Sequence, residues 1–117
     1  MAVRVRRLLK RQDFLKVKSL GRRVSTQAFV LQWLDMPEED GIGVGFTASG
    51  ALGNAVKRNR ARRRLKAAFD EICRCNPNAV GQGKHFVLVA KMPMFAIEYP
   101  YLLKDMAKAL AEAGVAC

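Results

Sequence analysis

The sequence is short of acid. Ten Asp and Glu stand against 21 Lys and Arg, leaving a formal charge of +11 across 117 residues. Self-repulsion of that size opposes compaction, so an excess this large implies an external counter-charge, and a polyanion comes first. Metal-binding and acid/base residues are also scarce. There is one histidine, His85, and three cysteines, Cys73, Cys75 and Cys117. An odd number in a Cys-x-Cys spacing makes neither a disulfide framework nor a zinc knuckle, and the thiols read as reduced and cytosolic. The ten acids include no Asp-x-Asp or His-x-x-Glu spacing. A nuclease acting alone needs clustered carboxylates for metal or a histidine pair for proton transfer, so intrinsic catalysis is not expected. No apolar run approaches the ~20 residues of a membrane span. No apolar segment follows the basic start, so a secretory signal is not expected either. Glu38-Glu39-Asp40 reads as a solubilising turn, and His85 as a structural histidine.

What is present is cation in two blocks. Residues 1–23 hold nine Lys and Arg against Asp13 alone, and residues 57–66 hold seven with no acid. A length of 117 residues gives one domain, 1–117, and residues 1–9 read as an extended basic arm with Leu8 and Leu9 to anchor it. A first helix is predicted from Lys10 to Leu20, with Phe14 and Val17 at i, i+3 and Gly21 as its stop. Strands follow at 28–34 and 42–48, expected to pair as an antiparallel hairpin, with a further short strand near 24–27. After the connector 49–53 comes a long helix, Asn54 to Cys75, closed by Asn76-Pro77-Asn78. Ala61, Leu65, Ala68, Phe69 and Ile72 form its apolar stripe. A loop with Gly81 and Gly83 leads to a nearly all-apolar strand, His85 to Ala90, of the kind found inside sheets. Pro93 ends it, and a last helix runs from Tyr99 to Ala113. The order α-β-β-(β)-α-β-α gives a two-layer α/β (α+β) sandwich.

The long helix carries the strongest signal. Helices normally interleave acids at i+4, yet none appears in this run before Asp70. At about 100° per residue, Arg60, Arg63 and Lys66 form an outward row opposite Leu65, flanked by Asn59. Arg58 lies about 200° from Arg60 and must reach sideways along the sheet edge, toward another strand of the partner or an internal acceptor. Arginine's planar fork suits phosphate better than lysine's point charge.

Gly53-Asn54-Ala55-Val56-Lys57-Arg58-Asn59-Arg60-Ala61-Arg62-Arg63 resembles the signature of the bacterial ribonuclease P protein family, Gly-x-Ala-Val-x-Arg-Asn-Arg-x-Lys/Arg-Arg. Further matches are Leu9-x-x-x-Asp13-Phe14-x-x-Val17, Phe29-Val30-Leu31, Val44-Gly45-Phe46 and Phe86-Val87-Leu88-Val89-Ala90-Lys91. Together they span about residues 6–110. The resemblance implies a cytoplasmic protein subunit of the ribonucleoprotein endonuclease that removes the 5′ leader of precursor tRNA. It also implies an RNA subunit that carries the chemistry with Mg²⁺, and a left-handed βαβ crossover. The implied partners are the catalytic RNA and precursor tRNA, with no membrane and no obligate protein partner. Arg58, Asn59, Arg60, Arg62, Arg63 and Lys66 would face the catalytic RNA. Arg11, Phe14, Val17, Lys18, Gln32, Ser49 and Lys91 would line a separate cleft for the single-stranded leader. The chain departs from the family at Lys18 and Gln32, where aromatics are common, and at Ser49-Gly50-Ala51, where Ser-Lys-Lys is common. Lys18, Arg11 and Lys91 supply cation in partial compensation. The alternatives are a ribosomal or other RNA-binding protein without a processing role, and a DNA reader, for which neither a helix-turn-helix nor a dimer element is visible.

Overall fold

The computed structural model describes residues 5–39, 41–75 and 83–114. The first four residues, Asp40, the stop at 76–78, Gly81 and Cys117 lie outside the described residues, as do the side chains of Arg74 and Cys75. The chain runs β1 (Val5–Arg7), α1 (Arg11–Leu20), β2 (Arg22–Ser25), β3 (Phe29–Asp35), β4 (Ile42–Thr47), α2 (Ala55–Cys75), β5 (Lys84–Ala90) and α3 (Tyr99–Glu112). Short 3₁₀ turns occupy Gly50–Leu52 and Met92–Ala96. The expected order is present with β1 added in front.

The five strands form one sheet in the order β1-β4-β5-β3-β2. The expected hairpin between β3 and β4 does not form. Instead β5 lies between them, antiparallel to β3 and parallel to β4. The cause is burial. Phe86, Val87 and Leu88 of β5 are enclosed on both sheet faces, so the most apolar strand takes the centre. The basic arm is not free along its described length either. Val5–Arg7 pairs in parallel with Ile42–Val44, Leu8 N–H donates to Val44 O, and Leu8 is 3% exposed while Leu9 is 82% exposed. Only the first of the two expected anchors is used. Arg7 lies over the Phe46 ring at 5.4 Å, adding a cation–π contact to the same edge.

The period-2 alternation of the strands decides which residues meet which helix. Phe29, Leu31, Val44, Phe46, Phe86 and Leu88 pack with Leu65 and Phe69 of α2 and Leu102, Met106 and Leu110 of α3 in the main core. The opposite parity faces α1, where Leu8, Val17 and Val87 form a small second cluster with Phe14, Leu34 and Val89 against it. The sandwich is therefore sheet against α2 and α3, with α1 partly covering the other face.

Candidate nucleic-acid interface

Helix α2 begins with a cap. Asn54 Oδ1 accepts from Lys57 N–H at 3.0 Å, and Arg58 N–H donates to the Asn54 carbonyl. Ala61, Leu65, Ala68 and Phe69 then fix the helix rotation by burial. That rotation leaves Asn59, Arg60, Arg63 and Lys66 exposed. Arg60 and Arg63 make no side-chain hydrogen bond or ion pair among the described residues, and so present free guanidinium groups at about one helical turn's spacing. The rest of the run is partly engaged. Arg62 is half-buried and donates to Asn59 Oδ1 at 2.6 Å. Lys66 pairs with Asp70 at 2.6 Å. Arg58 is half-buried, and its Nε is enclosed with no hydrogen-bond partner among the described residues. Arg64 points inward and donates to the carbonyls of Met94 and Ile97, the latter at 2.6 Å. One member of what reads in sequence as a continuous cationic run is therefore a tether.

The second surface lies on the α1 face. Gly45 of β4 lets the helix approach: a Cβ there would meet two Phe14 ring atoms at 2.4 Å. Phe14 is half-buried, with one side against the sheet. Val17, expected in the cleft, is 1% exposed, because it sits with Leu8 and Val87 under the helix. In this structure it is packing beneath the helix. Gln32 is also buried and shares a register row with Gly45, Val87 and Arg23. It belongs to the floor beneath α1.

Leu20 borders a hollow of about 330 Å³ with Arg22, Trp33, Asp35 and Lys84, on the side of α1 where β5 begins. About 200° of helix rotation separates Leu20 from Lys18, so Arg11 and Lys18 turn toward the other side. There the next row of the sheet holds Thr47, Val89, Val30 and Ser25 in register. Thr47, Val89 and Val30 are half-buried and lie on the face that α1 only partly covers. Lys91, two residues after Val89, closes the row: its Nζ donates to Ser25 Oγ at 3.0 Å and to Thr26 O at 2.7 Å. Ser49, two residues beyond Thr47, is exposed. Phe14 of α1 thus sits beside this half-covered row, with Arg11 and Lys18 exposed on the same helix and Lys91 at the end of the row. The half-buried Val30, Val89 and Thr47 of that row and the exposed Arg23 of the neighbouring row escaped the sequence reading. The signal was the two-residue period running back from Gln32 and Lys91. Using it requires knowing that β5 separates β3 from β4.

A third cluster holds the start of the chain in place. Glu39 Oε2 accepts from Arg6 at 2.7 Å and from His85 Nε2 at 2.6 Å. Glu39 is thus an internal ion-pair partner, and the solubilising role expected of it is corrected. Desolvation pushes its carboxyl upward, but hydrogen bonds from Arg6 and His85, together with their charge, outweigh this and hold it below the ordinary value. His85 is 2% exposed, with Nδ1 enclosed and unpartnered, consistent with the structural reading. Among the described residues no three His, Cys, Asp or Glu side chains come together as a metal site. No described helix is long and apolar enough to cross a membrane.

The ribonuclease P family model matches residues 3–114. A ribonuclease P protein component from Gluconacetobacter diazotrophicus is 40% identical over 115 residues, covering 98% of this chain and 97% of the relative. One from Geobacillus kaustophilus is 30% identical, covering 92% and 86%. Among solved structures, the Staphylococcus aureus RNase P protein superposes with a TM-score of 0.76 at 26% identity, covering 93% of this chain and 95% of that one. The Thermotoga maritima RNase P protein gives 0.71 at 22% identity, a likeness of fold.

Proposed function

The chain belongs to the ribonuclease P protein family, and from that premise we propose how its two cationic surfaces divide the work of a tRNA-processing ribonucleoprotein. The exposed face of α2 docks on the catalytic RNA. Arg60 and Arg63 supply free guanidinium groups to its phosphates, with Asn59, Arg62 and Lys66 beside them and Arg58 reaching an acceptor at the helix start. The groove beside α1 receives the single-stranded 5′ leader of precursor tRNA. Phe14 offers a ring for one base, and Arg11, Lys18, Arg23 and Lys91 offer positive charge to the backbone. The observation that carries this reading is the separation of the surfaces. α2 and α1 lie on opposite faces of one sheet, so a folded RNA and a single strand can be held at once.

Removal of the leader is assigned to the RNA subunit and its Mg²⁺. The protein contributes affinity and charge neutralisation. The reading as a ribosomal protein without a processing role finds no support among the matched proteins. Reconstitution tests the proposal. Added to bacterial ribonuclease P RNA at low Mg²⁺, the protein should accelerate release of the 5′ leader from precursor tRNA. Alone, and freed of RNA, it should leave the same substrate intact. No stimulation of the RNA, or cleavage by the protein after nuclease treatment to remove contaminating RNA, would overturn it.

A further inference from the structure

We infer that Arg64 is a positioning residue that ties the docking helix to Lys91 at the end of the leader groove. It stands among seven cations in residues 57–66, yet it does not share the outward direction of Arg60 and Arg63. Its two terminal nitrogens donate to the carbonyls of Met94 and Ile97, at the middle and the end of the turn after β5. Met94 is fully buried, so the turn is held from both sides. A planar fork with two donors spans two carbonyls in a way a lysine ammonium does not. With both terminal nitrogens engaged inward, Arg64 is poorly placed to bind phosphate.

The turn in question sets Lys91. Lys91 is its leading residue, and Met94 N–H donates back to the Lys91 carbonyl at 3.0 Å. Lys91 N–H donates to Ala28 O at 2.9 Å, and its ammonium is held by Ser25 Oγ and Thr26 O. A continuous set of hydrogen bonds therefore runs from α2 through the 92–96 turn to the groove's end wall. The helix that meets the catalytic RNA also fixes where the leader finds its last cation. The inference rests on the proposed division of surfaces.

The test uses the reconstituted holoenzyme with Arg64→Met, which keeps the apolar stem and removes the donors. Three quantities are read: the melting temperature, the salt slope of binding to the catalytic RNA, and the ratio of precursor to mature tRNA affinity. The expected result is an unchanged salt slope with the affinity ratio lowered by roughly threefold to tenfold, the size of one weakened charge-assisted contact. Arg64→Lys should restore part of the ratio through one carbonyl, and it decides by the same readouts should the Met variant fold poorly. A slope reduced by about 0.9 would make Arg64 a phosphate ligand and overturn the inference. A lowered melting temperature with an unchanged ratio would overturn it too, leaving Arg64 a purely structural tie. Wild-type protein in the same assay separates this from the wider reading. If wild type shows no preference for precursor, the division of surfaces fails. If wild type shows it and the variants retain it, only the Arg64 assignment fails.

Discussion

Beneath α2 and α3 the sheet presents Phe29, Leu31, Val44, Phe46, Phe86 and Leu88, all buried. Beneath α1 it presents Val87 and Gln32, buried, then Val30, Val89 and Thr47, half-buried, and two glycines of β4 where side chains would stand. Both faces belong to the same strands, and the difference arises from alternate residues. The first face is filled to make a stable platform for α2. The second has just enough apolar surface in Leu8, Val17 and Val87 to seat a ten-residue helix, and leaves the rest of the floor open. The filled and the partly open surface thus fall on opposite parities of the sheet, and substitutions on the two faces should fail in different ways.

The largest effect is expected on the filled face. Phe69 meets Phe46 edge-on at 6.0 Å and Phe86 at 6.1 Å, fully enclosed. Phe69→Ala should cost about 3–5 kcal/mol of unfolding free energy, measured by denaturant titration. A loss under about 1 kcal/mol would mean that this face is not the main source of stability.

Next comes the exposed cationic face of α2. Arg60→Ala with Arg63→Ala should leave the fold intact, because both side chains are exposed and make no bond to the rest of the protein among the described residues. Each lost phosphate contact removes about 0.9 from the slope of log K against log salt, so the pair should flatten it by roughly two such steps. An unchanged slope, with circular dichroism also unchanged, would turn this face away from the RNA.

Phe14 sharpens the comparison because it touches both roles. Its ring packs on Gly45 and is only half-buried. Phe14→Leu should lower the preference for precursor over mature tRNA by at most about 1–3 kcal/mol, with a smaller loss of melting temperature than any substitution under α2. A lower melting temperature with no change in preference would make Phe14 pure packing.

The smallest effect concerns Glu39. Its carboxyl titrates below the ordinary value of 4.5 in the folded chain. Its stabilising contribution is therefore complete above that value and is lost as pH falls through the lower folded one. Glu39→Gln should remove this part of the acid sensitivity while leaving stability at neutral pH only slightly reduced. A stability–pH curve identical to wild type below pH ~5 would show that the pairing with Arg6 and His85 contributes nothing to folding.

Much of this was legible in the sequence where the signal was local. The apolar stripe of α2 fixed which cations point outward, and Arg60, Arg63 and Lys66 lie where the helical period puts them. The central position of β5 followed from its continuous apolar run. What was not legible depended on contacts between distant segments. Nothing near Glu39 announces that Arg6 and His85 will converge on it, and nothing near Arg64 announces the carbonyls of Met94 and Ile97. Val17 matched the resemblance to the family yet is packing, since a motif position does not say which side of a helix the neighbouring strand covers. The groove floor at Val30, Val89 and Thr47 needed the strand order. The expected pairing of β3 with β4 would have placed those residues elsewhere.

The central claim is that the two faces of the sheet hold two different RNAs. A photoreactive amino acid placed at Thr47 in one preparation and at Arg63 in another, each assembled with catalytic RNA and precursor tRNA, tests it directly. On irradiation, Thr47 should crosslink to the 5′ leader and Arg63 to the catalytic RNA. Crosslinks from Thr47 to the catalytic RNA alone, or from Arg63 to the leader, would contradict the account.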